Sequence, residues 1–336
     1  MSIFDYKMNI LITGGAGYIG SHVLKLLLEE NQHKIVVVDN LCKGSIDAIK
    51  TLQTVGQFEF IQTDIGNLTQ MEAIFEAHQF DTVIHFAAFI EVLESTQNPI
   101  KYYLNNTANA IHLIELSQKY GVQKFIFSST AATYGEPESG VVSEDSPQNP
   151  INPYGKSKLM TEWVLKDVAL ANPNFKYGIL RYFNVAGASS DGLIGQNYPN
   201  ATHLVKTAVQ TITGKRAKMS IFGDDYATRD GTCVRDYIHI EDLAAAHLSV
   251  LRYLQHNDSN MFNVGYGTGF TVKEVIDCAK KVGQVDFCVN IAPRRDGDPV
   301  CLIANADKLK NQTDWQAQHN QLEAIIQSAL NWERKL

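Results

Sequence analysis

Apolar positions in the first half of the chain fall into two alternating patterns. Short aliphatic and aromatic runs recur at Ile10–Thr13, Ile35–Asp39, Phe58–Gln62, Thr82–Phe86, Phe125–Ser128 and Tyr177–Leu180. Between most of them lie longer stretches with apolar residues every three to four positions, among them Tyr18–Glu30, Met71–His78, Ile100–Tyr120 and Tyr154–Ala171. Strand and helix in alternation predict an α/β fold, a doubly wound parallel sheet with helices on both faces. The rhythm breaks at Gly192–Asn200, and Gly-, Asp- and Arg-rich loops follow around 223–236 and 293–298. The pattern therefore predicts a first domain over 1–184 and a smaller α/β domain over 185–336. Tyr237–His239, the helical stretch Glu241–Gln255 and the strand-like Met261–Val264 suggest that 237–265 returns to the first domain. No internal repeat or low-complexity segment is visible.

The first apolar run leads into Thr13-Gly14-Gly15-Ala16-Gly17-Tyr18-Ile19-Gly20, and a helical pattern begins at once. Glycines at a strand-to-helix turn are the fingerprint of a Rossmann-type dinucleotide site: Gly14 and Gly17 let the backbone approach the pyrophosphate, and Gly20 lets helix and strand pack closely. The free amides and dipole of the helix start meet the phosphate charge. The bland reading is a plain turn. The second strand ends in Asp39, nineteen residues beyond Gly20. A carboxylate there accepts from both ribose hydroxyls and repels a 2′-phosphate, so NAD is expected rather than NADP. Asp39 could instead cap the next segment. Asp64, after the third strand, is of the kind that holds an adenine amine or simply closes a turn.

Composition narrows the partners. The 336 residues are 45% hydrophobic and 19% charged, with a net charge of −7 and no Lys/Arg run, which argues against nucleic-acid or membrane-surface partners. Five scattered cysteines without a C-x-x-C pair read as reduced and cytoplasmic, and no metal is expected. No apolar run approaches the roughly twenty residues of a membrane span, and Met1–Lys7 has no signal-like stretch.

Tyr154 and Lys158 stand one helical turn apart in Tyr154-Gly155-Lys156-Ser157-Lys158. An aqueous tyrosine, with a pKa of about 10, is a poor base at neutral pH, and a nearby ammonium favours its phenolate. With the positive nicotinamide ring close by as a second cation, a depression of three units would correspond to about 4 kcal/mol of differential stabilisation. A solvated helical face gives the same spacing by chance. Context favours the first reading: the strand Phe125–Ser128 runs into Ser129-Thr130, placing a hydroxyl where parallel sheets bind ligands. Thr130 could then hydrogen-bond a reacting oxygen, whereas turn formation is the structural alternative.

These residues resemble the extended short-chain dehydrogenase/reductases and, among them, the UDP-glucose 4-epimerases. The likeness includes TGGAGYIGSH at 13–22, DNLCKGS at 39–45, DTVIHFAA at 81–88, SSTAATYGEP at 128–137, NPYGKSK at 152–158 and LRYFNVAGA at 180–188. Further on come DGTCVRDYIH at 230–239, FNVG at 262–265 and APRRDGD at 292–298. The resemblance implies redox catalysis without net redox, on NAD that stays bound. Tyr154 would take the sugar 4-hydroxyl proton, a 4-keto sugar would form, and the sugar would turn its other face before reduction. Lys158 would hold the nicotinamide ribose and tune Tyr154, and Thr130 would bond the reacting oxygen. Beside the glycine turn with Tyr18 and Ile19, the cofactor positions are Asp39, Asn40, Leu41, Cys42, Lys43 and Gly44. Asp64, Ile65, Phe86, Ala87, Asn105, Ser128 and Phe183 complete them. Core packing is the alternative for Phe86 and Phe183.

The UDP-sugar is expected against Arg235, Arg295 and Asp298 with Asn184, His203 and Leu204 at the diphosphate, and Ser220, Ile221 and Phe222 at the uracil. Arg294 could be a surface charge and Arg235–Asp236 a structural ion pair. Ile90 stands where some members have a lysine, and His203 where some have asparagine. Leu302 occupies a position where a tyrosine in some relatives excludes N-acetylated sugars, so UDP-N-acetylhexosamines are expected substrates as well. A 4,6-dehydratase is disfavoured because Ala131 and Ala132 fill the places of its acid and base; a UDP-pentose or UDP-uronate epimerase stays open. A binding-only NAD regulator should have lost Tyr154, Lys158 or Thr130. The resemblance further implies a homodimer through helices 100–120 and 154–171.

Overall fold

The computed structural model describes residues 7–198, 200–295 and 297–336; Met1–Tyr6 and Asp296 of the 292–298 motif lie outside them. Seven parallel strands form the main sheet: β1 Asn9–Thr13, β2 Lys34–Asp39, β3 Glu59–Gln62, β4 Thr82–His85, β5 Lys124–Thr130, β7 Lys176–Tyr182 and β11 Asn260–Val264. Their order is β11-β7-β5-β4-β1-β2-β3. The chain starts in the middle, winds to one edge, returns across β1 and winds to the other. The strand order reverses between β1 and β4, and ligands of such sheets bind at the carboxyl ends there.

Alternation along β1 explains why both faces need covering. Ile10 and Ile12 point into a core beneath the helices Tyr18–Glu29 and Ile240–His256, and Leu11 points into a second core beneath Leu68–Ala77, Asn109–Lys119 and Pro153–Ala171. Burying one large aliphatic side chain stabilises by about 2 kcal/mol, so the strands read as nearly continuous apolar runs.

The remaining strands are β6 Val141–Val142, β8 Asn184–Ala186, β9 Met219–Phe222, β10 Val234–His239, β12 Gly269–Thr271, β13 Val289–Ala292 and β14 Cys301–Ala304. Strand β10 pairs with β12, β14 and β8, β14 pairs with β6, and β9 pairs with β13. A third core lies among the helices Leu204–Ile212, Val272–Gly283 and Leu322–Glu333.

Two sequence expectations change. Tyr237–His239 pair with Asn184–Ala186 instead of entering the main sheet, whereas Ile240–His256 packs on that sheet's helical layer and β11 joins its edge. The stretch 100–120 is not one α-helix: Pro99–Tyr102 passes through a π-helical turn, Tyr103–Ala108, into Asn109–Lys119. Such turns absorb an extra residue and frequently mark functional sites. Among the described residues no helix is long and apolar enough to cross a membrane.

Candidate active site

The glycine turn is built by steric exclusion. Gly14 has φ +74°, and a Cβ there would sit 2.5 Å from the Ala87 amide nitrogen; at Gly20 it would sit 2.3 Å from the Gly14 carbonyl oxygen. Gly17 caps the following helix, whose first amides, those of Tyr18 and Ile19 included, have no intrahelical acceptor. The cradle thus offers donors and a helix dipole to an anion. The Tyr18 hydroxyl points elsewhere, donating to the Gly187 carbonyl at 2.7 Å.

Asp39 ends β2 beside this turn. Its carboxylate accepts the Ala16 amide at 3.0 Å and the Leu41 amide at 2.8 Å. The second bond is the local turn of the capping alternative; the first ties the acid to the cradle. Burial pushes this carboxyl above its usual range, and both amides pull it back. Gly44 backs onto the same carboxylate. Asp64 accepts Asn40 Nδ2 at 2.6 Å and the Gly66 amide at 2.7 Å, so it both closes a turn and anchors Asn40, whose Oδ1 accepts the Cys42 amide. Ile65 faces the core. Lys43 is held by Glu91 and by the Tyr198 hydroxyl, and Asn197 donates to Ser45, so residues 197–198 strap the loop. Exposed Ile90 adjoins Glu91. A strand-order crevice, a turn that excludes side chains and a carboxylate after β2 fit a dinucleotide.

Phe86 and Ala87 follow β4, and both amides donate to the Thr13 carbonyl. The Phe86 ring lies 5.0 Å from that of His247. Asn105 sits in the π turn and donates to Asn106 Oδ1. Asn106, buried, accepts the Phe89 amide and donates to the Phe89 carbonyl and to Ser157 Oγ, joining this turn to the helix Pro153–Ala171.

Asn152 caps the helix Pro153–Ala171, its side chain accepting the Gly155 amide at 2.9 Å, with Pro153 pre-set for the first helical position. Tyr154 therefore stands in the first turn and Lys158 in the second. Thr130, at the end of β5, accepts the Ala132 amide at 3.2 Å, the turn of the structural alternative, and also interacts with the Tyr154 phenol. Lys158 donates to the Ser128 carbonyl at 2.8 Å and lies over the Phe127 ring. Ser128 Oγ shares a hydrogen bond with the Tyr182 hydroxyl. Next to them His85 shares a 2.7 Å hydrogen bond with Thr13 and stacks on Phe127.

In the chain alone the electrostatics supply only part of the expected activation, which counts on the nicotinamide ring as a second cation. Burial pushes the Tyr154 phenol up, and only the Thr130 bond draws it down. Lys158 is itself lowered to about 7 by burial, with Glu162 opposing. Its ammonium is aimed at the Ser128 carbonyl, so spacing alone does not activate the tyrosine; the protein's own desolvation outweighs its neighbour.

Across the crevice, pairing of β9 with β13 brings Ser220, Ile221 and Phe222 beside 290–292. Arg295 stacks on the Phe222 ring with its guanidinium 3.6 Å from the centroid. Arg235 lies 3.9 Å from Asp298 and donates to the Val234 carbonyl. It does not pair with Asp236, whose buried carboxylate accepts the amides of Tyr266, Gly267 and Ala304 and is pushed up to about 6 by burial. Arg294 is the surface charge, paired with Asp225. Asn184 is the strand partner of Tyr237 and interacts with its phenol, and His203 precedes Leu204 at a helix start and contacts Gln196 at 3.0 Å. Phe183 and Leu302 share one small core with Ala131, Tyr134, Val142 and Ala304.

His239, Glu241 and His319 form a separate cluster within 4.8 Å. His239 Nδ1 already accepts the Glu241 amide as a helix cap, and its ring lies 4.5 Å from that of His319, so these side chains are committed to the helix start. Asn106, Ser157 and Tyr182 went unnoticed in the sequence; the polar run Asn105-Asn106-Thr107 inside a helical pattern was the available signal.

The profile of the NAD dependent epimerase/dehydratase family matches residues 10–265. The chain belongs to that family. It is 46% identical over 327 residues to the UDP-glucose 4-epimerase of Streptococcus mutans, covering 97% of this chain and 96% of that one. Among solved structures it is similar to the UDP-Glc/GlcNAc 4-epimerase from Campylobacter jejuni, at 57% identity and a TM-score of 0.86, with 98% and 100% of the two chains covered. It is also similar to the UDP-glucose 4-epimerase from Bifidobacterium longum in complex with NAD+ and UDP, at 36% identity and a TM-score of 0.92 over 97% and 98%.

Proposed function

We propose that this enzyme interconverts UDP-galactose and UDP-glucose with bound NAD. The carrying observation is the meeting of Tyr154 and Thr130 hydroxyls at the carboxyl end of β5, one helical turn from Lys158 and beside the glycine cradle. The glycine turn, Asp39 and the 40–44 loop would hold the dinucleotide, and Lys158 and Ser128 flank its reactive end. Bound there, NAD supplies the reversible oxidant that the sugar C4 requires.

This chain's groups handle protons and orientation. Tyr154 as phenolate accepts the 4-hydroxyl proton and later returns it to the same oxygen, now on the other face of the sugar. Thr130 donates to or accepts from that oxygen throughout. The Lys158 charge, together with a bound cation, offsets the desolvation that raises the phenol. Arg235 and Arg295 grip the diphosphate while Asn184, His203 and Leu204 border it, and Ser220–Phe222 receive the uracil. Asp298 orients Arg235. A firm hold on the nucleotide leaves the hexose free to turn.

Residues 1–184 with the returning strand β11 serve the cofactor, and 185–336 mainly the UDP-sugar. Leu302, compact and in one small core with Ala131, leaves room for an N-acetyl group, so UDP-GlcNAc and UDP-GalNAc are substrates too. Ile100, Leu104, Trp163 and Leu170 are exposed on the two helical segments 99–119 and 153–171; a second copy covers them in a cytoplasmic homodimer, tested by sedimentation at micromolar concentration. The function is tested by a coupled assay without added NAD, run with UDP-galactose and UDP-N-acetylgalactosamine side by side. Stoichiometric release of NADH without an epimerised product would point instead to a net dehydrogenase.

A further inference from the structure

Beneath the reacting groups lies a second, fully buried polar layer. Glu162 stands one helical turn beyond Lys158, and both it and Arg181 of β7 have side chains without solvent exposure. Glu162 Oε1 accepts the Ser129 hydroxyl at 2.5 Å and Arg181 Nε at 3.0 Å; Oε2 accepts Arg181 Nη2 at 2.5 Å and Gln148 Nε2 at 3.2 Å. Arg181 Nη1 continues to the Tyr134 hydroxyl at 2.9 Å and the Glu144 carbonyl at 3.3 Å. The Tyr134 hydroxyl in turn donates to Asn263 Oδ1 at 2.6 Å on β11.

Both partners reach the proton-transfer groups. Ser129 lies between Ser128, whose carbonyl takes the Lys158 ammonium, and Thr130, which bonds Tyr154. Arg181 precedes Tyr182, whose hydroxyl meets Ser128 Oγ. A buried ion pair is a weak source of stability, because apolar side chains of similar volume fill the space without desolvating charge. It supplies instead a fixed geometry and a local charge.

Lys158 is faced by His85 from β4, held neutral because burial and the lysine lower it to about 3. Phe127 and the Ser128 carbonyl face it from β5, Arg181 and Tyr182 lie on β7, and Tyr154 and Glu162 share its helix. The Glu162 charge opposes the effect of burial and favours the protonated lysine.

We propose that Glu162, clamped by Arg181, is a positioning residue for the proton transfer: it fixes the Ser128–Thr130 backbone against Tyr154 and places a negative charge along the helix from Lys158. The inference rests on the reaction assigned above and acts through residues that touch substrate or cofactor.

Two variants test it, Glu162→Gln and the charge-free double variant Glu162→Met/Arg181→Met. For each, kcat and KM for UDP-galactose are followed from pH 6 to 10, with melting temperature and bound-NAD absorbance measured on the same samples. In the double variant the melting temperature and NAD content stay near those of the parent and KM changes less than twofold. Its kcat at pH 8 falls on the order of 100-fold, the loss associated with misplaced reacting groups, and its activity optimum moves to lower pH because Lys158 loses its proton sooner. Glu162→Gln shows the same kinetic shift, with added instability from the unpaired arginine. A double variant that keeps the parental kcat and pH profile overturns the proposal, whether or not Glu162→Gln folds. A parent enzyme without epimerase activity strikes down the assigned reaction, a result distinct from variants that match an active parent.

Discussion

Replacing Lys158 by methionine isolates what it costs to bury an ammonium under the active site. The side chain is 3% exposed, and burial lowers its pKa to about 7 from the usual 10.5. That gap corresponds to about 5 kcal/mol. The Ser128 carbonyl that takes the ammonium belongs to the environment in which that value holds, so nothing is subtracted from the gap. The sign follows from linkage. Below pH 7 the folded and unfolded chains both carry the proton and the fold bears the whole penalty. Between about 7 and 10.5 the folded chain releases the proton while the unfolded chain retains it, so the parent gains stability as pH rises. Methionine fills similar space without charge. Urea unfolding of both proteins, stripped of cofactor so that ligand binding does not contribute, should show Lys158→Met more stable by about 5 kcal/mol at pH 6. The difference should narrow by pH 8 and be small at pH 10, while the variant loses activity at every pH. A variant less stable than the parent at pH 6, or a difference that ignores pH, would refute the reasoning.

Three further outcomes are expected. Tyr154→Phe lowers kcat by about 10²- to 10⁴-fold with KM for UDP-galactose and bound NAD nearly unchanged; untouched turnover in the coupled assay would end the proposed chemistry. Leu302→Tyr reduces kcat/KM for UDP-GlcNAc at least about tenfold relative to UDP-galactose, and an unaltered ratio between the two substrates counts against the pocket assignment. Gly14→Ala combines a positive φ with a Cβ 2.5 Å from the Ala87 amide nitrogen; it destabilises by about 2–4 kcal/mol and empties the cradle, seen as a lower melting temperature and lost NAD absorbance after gel filtration.

The alternating half of the chain was legible because its elements carry their own patterns. Strands such as Val83–Ile84 and Phe125–Phe127 are buried on both faces, and the pleat leaves no polar position to blur the run. Strands β6, β8 and β12, two or three residues each, carry no such signal: they exist because β10 and β14 offer edges for them to pair with. The π turn was hidden because one extra residue barely disturbs a helical spacing. Tyr154, Lys158 and Thr130 are singled out by motif and strand context as the proposed reacting groups, whereas the electrostatics around them could not be read from sequence. Whether an ammonium activates a phenol depends on where both are aimed and how deeply they lie, and Lys158 aims at Ser128. Glu162 and Arg181 look in sequence like charges on the outside of a helix and a strand. Only the packing of β5, β7 and the helix Pro153–Ala171 turns them inward.

The position of β11 also bears on how the protein is made. Strand β7 is complete once residue 182 has been synthesised, yet its outer neighbour arrives only with residues 260–264, and the helix that covers Val23, Leu24 and Leu27 only with 240–256. A growing chain on the ribosome therefore carries an open edge and a bare helical layer for some eighty residues of translation, an exposure that invites mispairing with other nascent chains. Cutting the gene at the apparent boundary near residue 185 would make that transient state permanent, so the cofactor-binding half should be insoluble alone and recoverable when the 240–264 segment is fused back to it.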